Sequence, residues 1–376
     1  MEAYLDNAAT TKINGKVVEI MTDTLLNAYG NPNSLHKVGR DAEDKLEAAR
    51  KIIGDSINAD AEEIVFTSCA TEGNNHIIKS FIKEGAHFIT TKIEHPSVLR
   101  VMEYAEKNGV RVDYLSVDQE GKIDLSELKE KITKNTSLVS IMMVNNETGA
   151  INHPEAIGKI VREAGGKVKY HVDAVQGYMK FPIDVRKMNI DFLTVSAHKV
   201  HGPKGVGFVY IKKGQRPMPF FLGGAQERGL RAGTVNVPSI FGFSEVPLLL
   251  EAHMDENHTK VALLKKAMID ELSGIKELKI NSSLDFTSPY ILNISLPGMR
   301  GEVMLHYLSD KGVYVSTGSA CSSKDTKDSH VLQAIGVKEK EIKGSVRFSF
   351  SEENTLEEII YAAGVLKEAV NFLRRK

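Results

Sequence analysis

The sequence predicts an α/β fold: a mostly parallel sheet with helices on both faces, followed by a smaller C-terminal α+β unit. Two observations carry this. From about residue 60 to 210, apolar runs of strand length alternate with helical patterns, as in a parallel sheet with crossover helices. A long helical stretch over residues 238–273 then interrupts the alternation, and strand-like runs return only at 290–295 and 346–350.

In chain order, Val17, Val18, Met21, Leu25 and Leu26 are expected on one face of a first helix. Residues 64–67 read as a strand leading into a helix that continues through residues 76–81. Further strands are expected at 88–90, 110–114, 138–143, 167–170 and 191–195, and a last helix at about 357–375. Binding sites in such sheets form beyond the strand ends, so the residues that follow each apolar run are the ones to inspect.

Composition narrows the classes. The 376 residues are ample for two domains, and the net charge of −1 points to neither nucleic acid nor a membrane surface. No apolar run reaches a membrane-spanning length, and the first residues lack a secretory signal. Two cysteines, Cys69 and Cys321, make neither a disulfide framework nor a metal cluster. A reducing cytoplasm is the expected compartment.

Four segments carry chemistry. The run 191–195 ends in Ser196, His198 and Lys199 before the turn Gly202-Pro203-Lys204-Gly205. A lysine among polar neighbours at a strand end can lose its proton and form an imine, although a solvated end-cap is the plainer use. The run 167–170 closes on His171-Val172-Asp173-Ala174-Val175-Gln176. An inward Asp there would hold a pyridine nitrogen protonated, with Gln176 donating to a ring oxygen; a helix N-cap explains the same Asp.

The strand at 64–67 enters its helix through Ser68-Cys69-Ala70-Thr71-Glu72. That junction suits a phosphate at Ala70 and Thr71, while a Ser or Thr capping box explains the same residues. Finally, Ser316-Thr317-Gly318-Ser319-Ala320-Cys321-Ser322-Ser323 is a polar, small-residue stretch around one thiol. Structural cysteines prefer burial, so a mobile nucleophile and an incidental linker cysteine both remain open.

Together these segments resemble the cysteine desulfurases of the NifS/IscS type, class V aminotransferase-like enzymes that use pyridoxal phosphate (PLP). The likeness spans essentially the whole chain, through Asp6-Asn7-Ala8-Ala9-Thr10-Thr11, Gly30-Asn31-Pro32-Asn33-Ser34-Leu35-His36, Glu94-His95, Val144-Asn145-Asn146-Glu147-Thr148-Gly149, the glycine- and arginine-rich residues 223–234, and Ser345-Val346-Arg347-Phe348-Ser349.

The resemblance implies the PLP-dependent transferase fold of type I, with a seven-stranded, mostly parallel sheet sandwiched by helices. It places a large PLP-binding domain at 15–257. Residues 1–14 would join 258–376 as the small domain carrying the cysteine loop, 316–329. The loop length resembles that of the NifS/IscS group rather than the shorter SufS type.

By the same resemblance, Lys199 is the Schiff-base lysine, Asp173 the pyridinium partner and Gln176 the ring-oxygen contact. His95 stacks on the ring and transfers protons. Its plainer role is to start a helix before Pro96. Ala70, Thr71, Ser196 and His198 bind the phosphate, and Thr234 reaches the phosphate of the other subunit of a homodimer. Asn146 contacts cofactor and substrate, and Arg347 takes the substrate carboxylate. Cys321 is the nucleophile that receives sulfur from L-cysteine, leaving L-alanine. No intrinsic metal is implied, though Cys321 would transiently ligate a cluster held with a scaffold partner.

Two residues depart from the family pattern: Lys12 stands where proline is common, and Cys69 where glycine is. The chain end lacks the tail by which some members dock an iron–sulfur scaffold. The acceptor is therefore open between that scaffold protein and a tRNA-thiolation enzyme. A selenocysteine lyase shares nearly all the PLP contacts. An ordinary class V aminotransferase needs no thiol at 321, and an adaptor would have lost Lys199 or Asp173.

Overall fold

The structure is a computed structural model, and it describes residues 1–283, 285–317 and 328–374. Cys321 lies outside the described residues.

In chain order, β1 (Ala3–Tyr4), α1 (Gly15–Asn27) and α2 (Lys37–Asp55) precede β2 (Ile64–Thr67) and α3 (Ala70–Ser80). Then come β3 (His87–Thr91), α4 (Pro96–Lys107), β4 (Arg111–Leu115), α5 (Leu125–Lys131), β5 (Thr136–Ser140), α6 (Pro154–Glu163), β6 (Lys169–Asp173), β7 (Phe192–Ser196) and β8 (Gly207–Ile211). The second half holds α7 (Val237–Leu250), α8 (Met254–Leu272), β9 (Lys279–Ile280), β10 (Ile291–Ser295), α9 (Gly301–Asp310) and β11 (Val313–Tyr314). It closes with α10 (His330–Ala334), α11 (Glu339–Ile342), β12 (Ser345–Ser349) and α12 (Leu356–Leu373).

The main sheet has seven strands in the order β2-β8-β7-β6-β5-β3-β4. Only β8 runs against its neighbours; the other pairings are parallel. Six strands therefore end on the same edge. Successive residues serve opposite faces, as the strand period requires: Ile64 and Phe66 join the large core, whereas Val65 packs with Ile77, Phe192 and Val209 under α3. Gly73 lets α3 lie this close, since a Cβ there would fall 2.7 Å from both Thr194 Cγ2 and Val209 Cγ2.

A second core joins Ala3, Leu5 and Ala8 to α8, β10, α9, β12 and α12. The chain's first strand reaches it by pairing with β11, Ala3 against Val313 and Tyr4 against Tyr314, and Asp6 bridges to Ser349.

Two expected elements are present with added detail. The helical stretch 238–273 is not continuous: α7 contains Pro247, which cannot donate to the helix ladder, and a 3₁₀ turn over Glu251–His253 separates it from α8. The apolar face expected on α1 is only partly covered. Val17 is buried against α7, but Val18, Leu25 and Leu26 are exposed, because the stripe is wider than the single groove this chain offers.

Candidate active site

Where the parallel strands end, one cavity of about 540 Å³ opens. It collects the residues that follow five different strands: Cys69, Ala70 and Thr71 after β2, His95 after β3, and Met142, Val144, Asn146 and Glu147 after β5. Asp173 and Gln176 come at the end of β6, and Ser196, His198 and Lys199 at the end of β7. Ala8 and Ala9 from the N-terminal segment, Asp328 to His330 and Arg347 from β12 complete the wall.

Lys199 ends a 3₁₀ turn, Ala197–Lys199, that β7 runs into. Its Nζ donates to the carbonyls of Ala8 at 2.8 Å and Ala9 at 2.7 Å, so the amine is held by the N-terminal segment. The same segment clamps the turn: Thr11 donates from N and from Oγ1 to the His198 carbonyl, and its Oγ1 accepts from His201 N at 2.7 Å. His201 lies at φ +62°, a conformation that non-glycine residues hold only when neighbours enforce it.

Asp173 is 5% exposed, and both its oxygens are engaged. Oδ1 accepts from Val175 N at 3.1 Å and Oδ2 from Asn74 Nδ2 at 2.8 Å. Asn74 gives its other amide proton to Ser97 Oγ at 2.9 Å, and Ser97 Oγ meets His95 Nδ1 at 2.8 Å. Because Ser97 N also donates to that nitrogen at 3.1 Å, Nδ1 is an acceptor and the imidazole proton sits on Nε2. His95 is thus both the N-cap of α4 and a wall of the cavity. Burial, assisted by the Lys199 and His330 charges, moves its pKa down despite the attraction of Asp173, so the ring is neutral.

The junction at α3 is open. Its N-cap, Cys69, makes no side-chain capping bond, and Ser68 spends its N–H and hydroxyl on Glu72 instead. The first N–H groups of the helix, at Ala70 and Thr71, therefore keep their donors for the cavity. Beside them Ser196 Oγ is buried without a partner, and His198 Nδ1 meets Thr10 Oγ1 at 3.1 Å. Burial and the charges of Lys199 and Lys204 push His198 down to about 4.

Arg347 is 3% exposed; it donates to Asn146 O at 2.7 Å and to Asp6 Oδ1 at 2.8 Å, while its buried Nε has no partner. Two buried acids to which the sequence reading gave no role adjoin site residues, Glu147 after Asn146 and Glu94 before His95. Burial pushes Glu147 up to about 7, against the opposing pull of the Ser329 hydroxyl 2.5 Å away and of Arg347. Glu94, wholly buried, rises to about 8 and keeps Oε2 unpaired.

Of the eleven residues singled out from sequence that the structure describes, all but Thr234 line this one cavity. Thr234 is exposed and away from it, on the segment that follows the 3₁₀ turn Gln226–Gly229. Asn74, Ser97, Glu94 and Glu147 are additions. The one sequence signal for them is polarity where an apolar residue would pack.

The aminotransferase class-V family pattern matches residues 3–361. A cysteine desulfurase from Nostoc sp. is 41% identical over 99% of this chain and 93% of its own length. The chain belongs to the class V aminotransferase family, among its cysteine desulfurases. A cysteine desulfurase IscS from Methanosarcina thermophila is 40% identical over 99% of this chain and 92% of its own. Among solved structures, a NifS-like protein matches all of both chains at 38% identity and TM-score 0.93. A structure titled SspA in complex with cysteine matches 94% of this desulfurase-family chain and all of its own, at 32% identity and TM-score 0.83.

Proposed function

We propose that the protein is a PLP-dependent cysteine desulfurase, releasing L-alanine from L-cysteine and holding the sulfur as a persulfide on Cys321. The observation that carries this reading is the convergence of Lys199, Asp173, His95 and Arg347 on one cavity at the carboxyl edge of the sheet. The donor set fits PLP on two structural tests: the uncapped start of α3 beside an orphaned buried Ser196 hydroxyl suits a phosphate, and the fixed Asp173 suits a protonated pyridine nitrogen. When bound, PLP supplies an electron sink that lowers the cost of carbanion character at the substrate Cα.

The protein's own groups do the rest. Ala70, Thr71, Ser196 and His198 would hold the phosphate, Gln176 would donate to the ring oxygen, and Lys199 would hold the aldehyde end and serve as the base for the substrate Cα proton. Asn146 and Arg347 take the substrate carboxylate, which displaces Asp6 from the guanidinium. His95 holds a proton at Nε2 within the site. The Cys321 thiolate attacks the substrate sulfur; the C–S bond breaks, its electron pair stays on Cβ, and protonation there yields alanine. The sulfur then leaves to an acceptor protein, an iron–sulfur scaffold or a tRNA-thiolation enzyme. Thr234, exposed and not part of its own cavity's lining, would serve the site of a second subunit. The exposed Val18, Leu25, Leu26 and Leu222 give that homodimer an apolar surface to cover.

The test uses the purified chain supplied with PLP. A visible absorbance band, borohydride fixation at Lys199 and alanine formation on adding L-cysteine are expected. Cys321→Ser should keep the band and lose roughly a hundredfold or more in alanine formation. Wild-type turnover in that variant would remove Cys321 from the chemistry.

A further inference from the structure

Beside the cavity lies a buried cation that this mechanism leaves unused. Lys180, 8% exposed, lies four residues beyond Gln176 across a turn, and its Nζ donates to Gln176 Oε1 at 3.2 Å. Gln176 in turn donates from Nε2 to the Ala8 carbonyl at 2.9 Å, the same carbonyl that accepts from Lys199. Gln176 lines the cavity and Lys180 does not.

We infer that Lys180 is a positioning residue that fixes which end of the Gln176 amide faces the cofactor, so that the cavity meets an N–H donor there. An amide has two ends of nearly identical shape and opposite polarity, and only its partners choose between them. With the ammonium on Oε1 and a carbonyl on one Nε2 proton, the second Nε2 proton is the group left for an occupant. Turned over, the amide would set NH₂ against the ammonium and oxygen against the Ala8 carbonyl, two repulsive contacts in a buried place. Lys180 also polarises the amide, which strengthens the remaining N–H as a donor.

The surroundings keep the cation charged enough to do this while leaving it nowhere else to go. Glu352 attracts it, Lys199 and Arg347 repel it, and the Tyr290 ring lies 5.3 Å from its Nζ. Glu352 is itself shared with His201, at 3.2 Å. Burial brings Lys180 down to about 8.

This inference rests on the reading of the cavity as a PLP site for its consequence, and two measurements separate the fates of the two. In cofactor-free protein labelled with ¹⁵N-glutamine, the Gln176 side-chain amide, identified by its loss in Gln176→Ala, should exchange with solvent at least about tenfold faster in Lys180→Met. Unchanged exchange overturns the inference, whatever the cofactor does. In PLP-loaded protein, the pH midpoint of the visible band should move up in Lys180→Met. The double variant Lys180→Met/Gln176→Ala should then move no further than Gln176→Ala alone, the mark of one residue acting through the other. Additive shifts would mean that Lys180 acts only by its charge on Lys199, and would overturn the positioning role. A wild-type protein that takes up no PLP while the exchange result holds defeats the proposed function and leaves the amide orientation standing. Met is close to Lys in length, and loss of a buried cation to an apolar side chain is commonly tolerated, so the variant should fold.

Discussion

In the proposed site, Arg347 would be prepared before its ligand arrives. Asn146 O and Asp6 hold the guanidinium in place, and its planar fork suits a carboxylate in a way that a lysine ammonium does not. Arg347→Lys should therefore lower kcat/KM for L-cysteine by about 10- to 100-fold, chiefly through KM, on the scale of one charged hydrogen bond. Steady-state kinetics with purified variants check this. Glu94 makes a different residue-level forecast. Its folded pKa of about 8 lies above the ordinary value of 4.5, so the folded chain retains a proton that the unfolded chain releases. Wild-type stability from this group is full below about 4.5 and is lost as pH rises through 8. Glu94→Gln lacks that loss, so its denaturation midpoint relative to wild type should climb between pH 5 and 8.5 and level off above. Which residues were legible follows the same logic. Lys199 and Asp173 announced themselves as polar groups ending apolar runs, whereas Arg347, in the middle of β12, was reached only through the family resemblance. Asn74, Ser97 and Lys180 sit within helices or turns, and Asn74 meets Asp173 only across 99 residues of sequence.

At the scale of elements, the strand ends were readable because a buried parallel strand is apolar until it leaves the sheet. What sequence did not give was the clamp on the Ala197–Lys199 turn. Thr10 and Thr11 look like ordinary loop residues, and their partners lie about 190 positions away. Periodicity gave the helical stretch at 238–273 without its division into α7 and α8, since a single proline does not show where a helix will tighten and restart. The clamp carries its own prediction. Thr11→Val removes a donor to the His198 carbonyl and the acceptor for His201 N, leaving that N–H buried beside a strained φ. The variant should lose about 1–3 kcal/mol in chemical denaturation and take up PLP more slowly than wild type.

For the whole molecule, the seven-stranded sheet gathers residues from Ala8 to Arg347 into one cavity, but it leaves Thr234 outside. If a second copy brings that hydroxyl, an inactive pair should complement. Thr234→Val and Lys199→Ala, each weak or inactive alone, should give partial activity when refolded together. Mixed dimers then hold one site with both native residues. Absence of recovery in dimers shown to be mixed would confine the site to one chain. The topology was predictable from alternation, whereas the proposed reach of Thr234 came only from the family resemblance, because nothing in one chain's pattern marks a group meant for another.

The N-terminal residues have a consequence for biogenesis. Ala3 and Tyr4 pair with Val313 and Tyr314, Asp6 engages Arg347, and the Ala8 and Ala9 carbonyls hold the Lys199 amine. Residues near position 8 are thus fastened by partners more than 300 positions further along. A chain cut before residue 313 should leave the lysine's cradle unfastened, whatever else it folds.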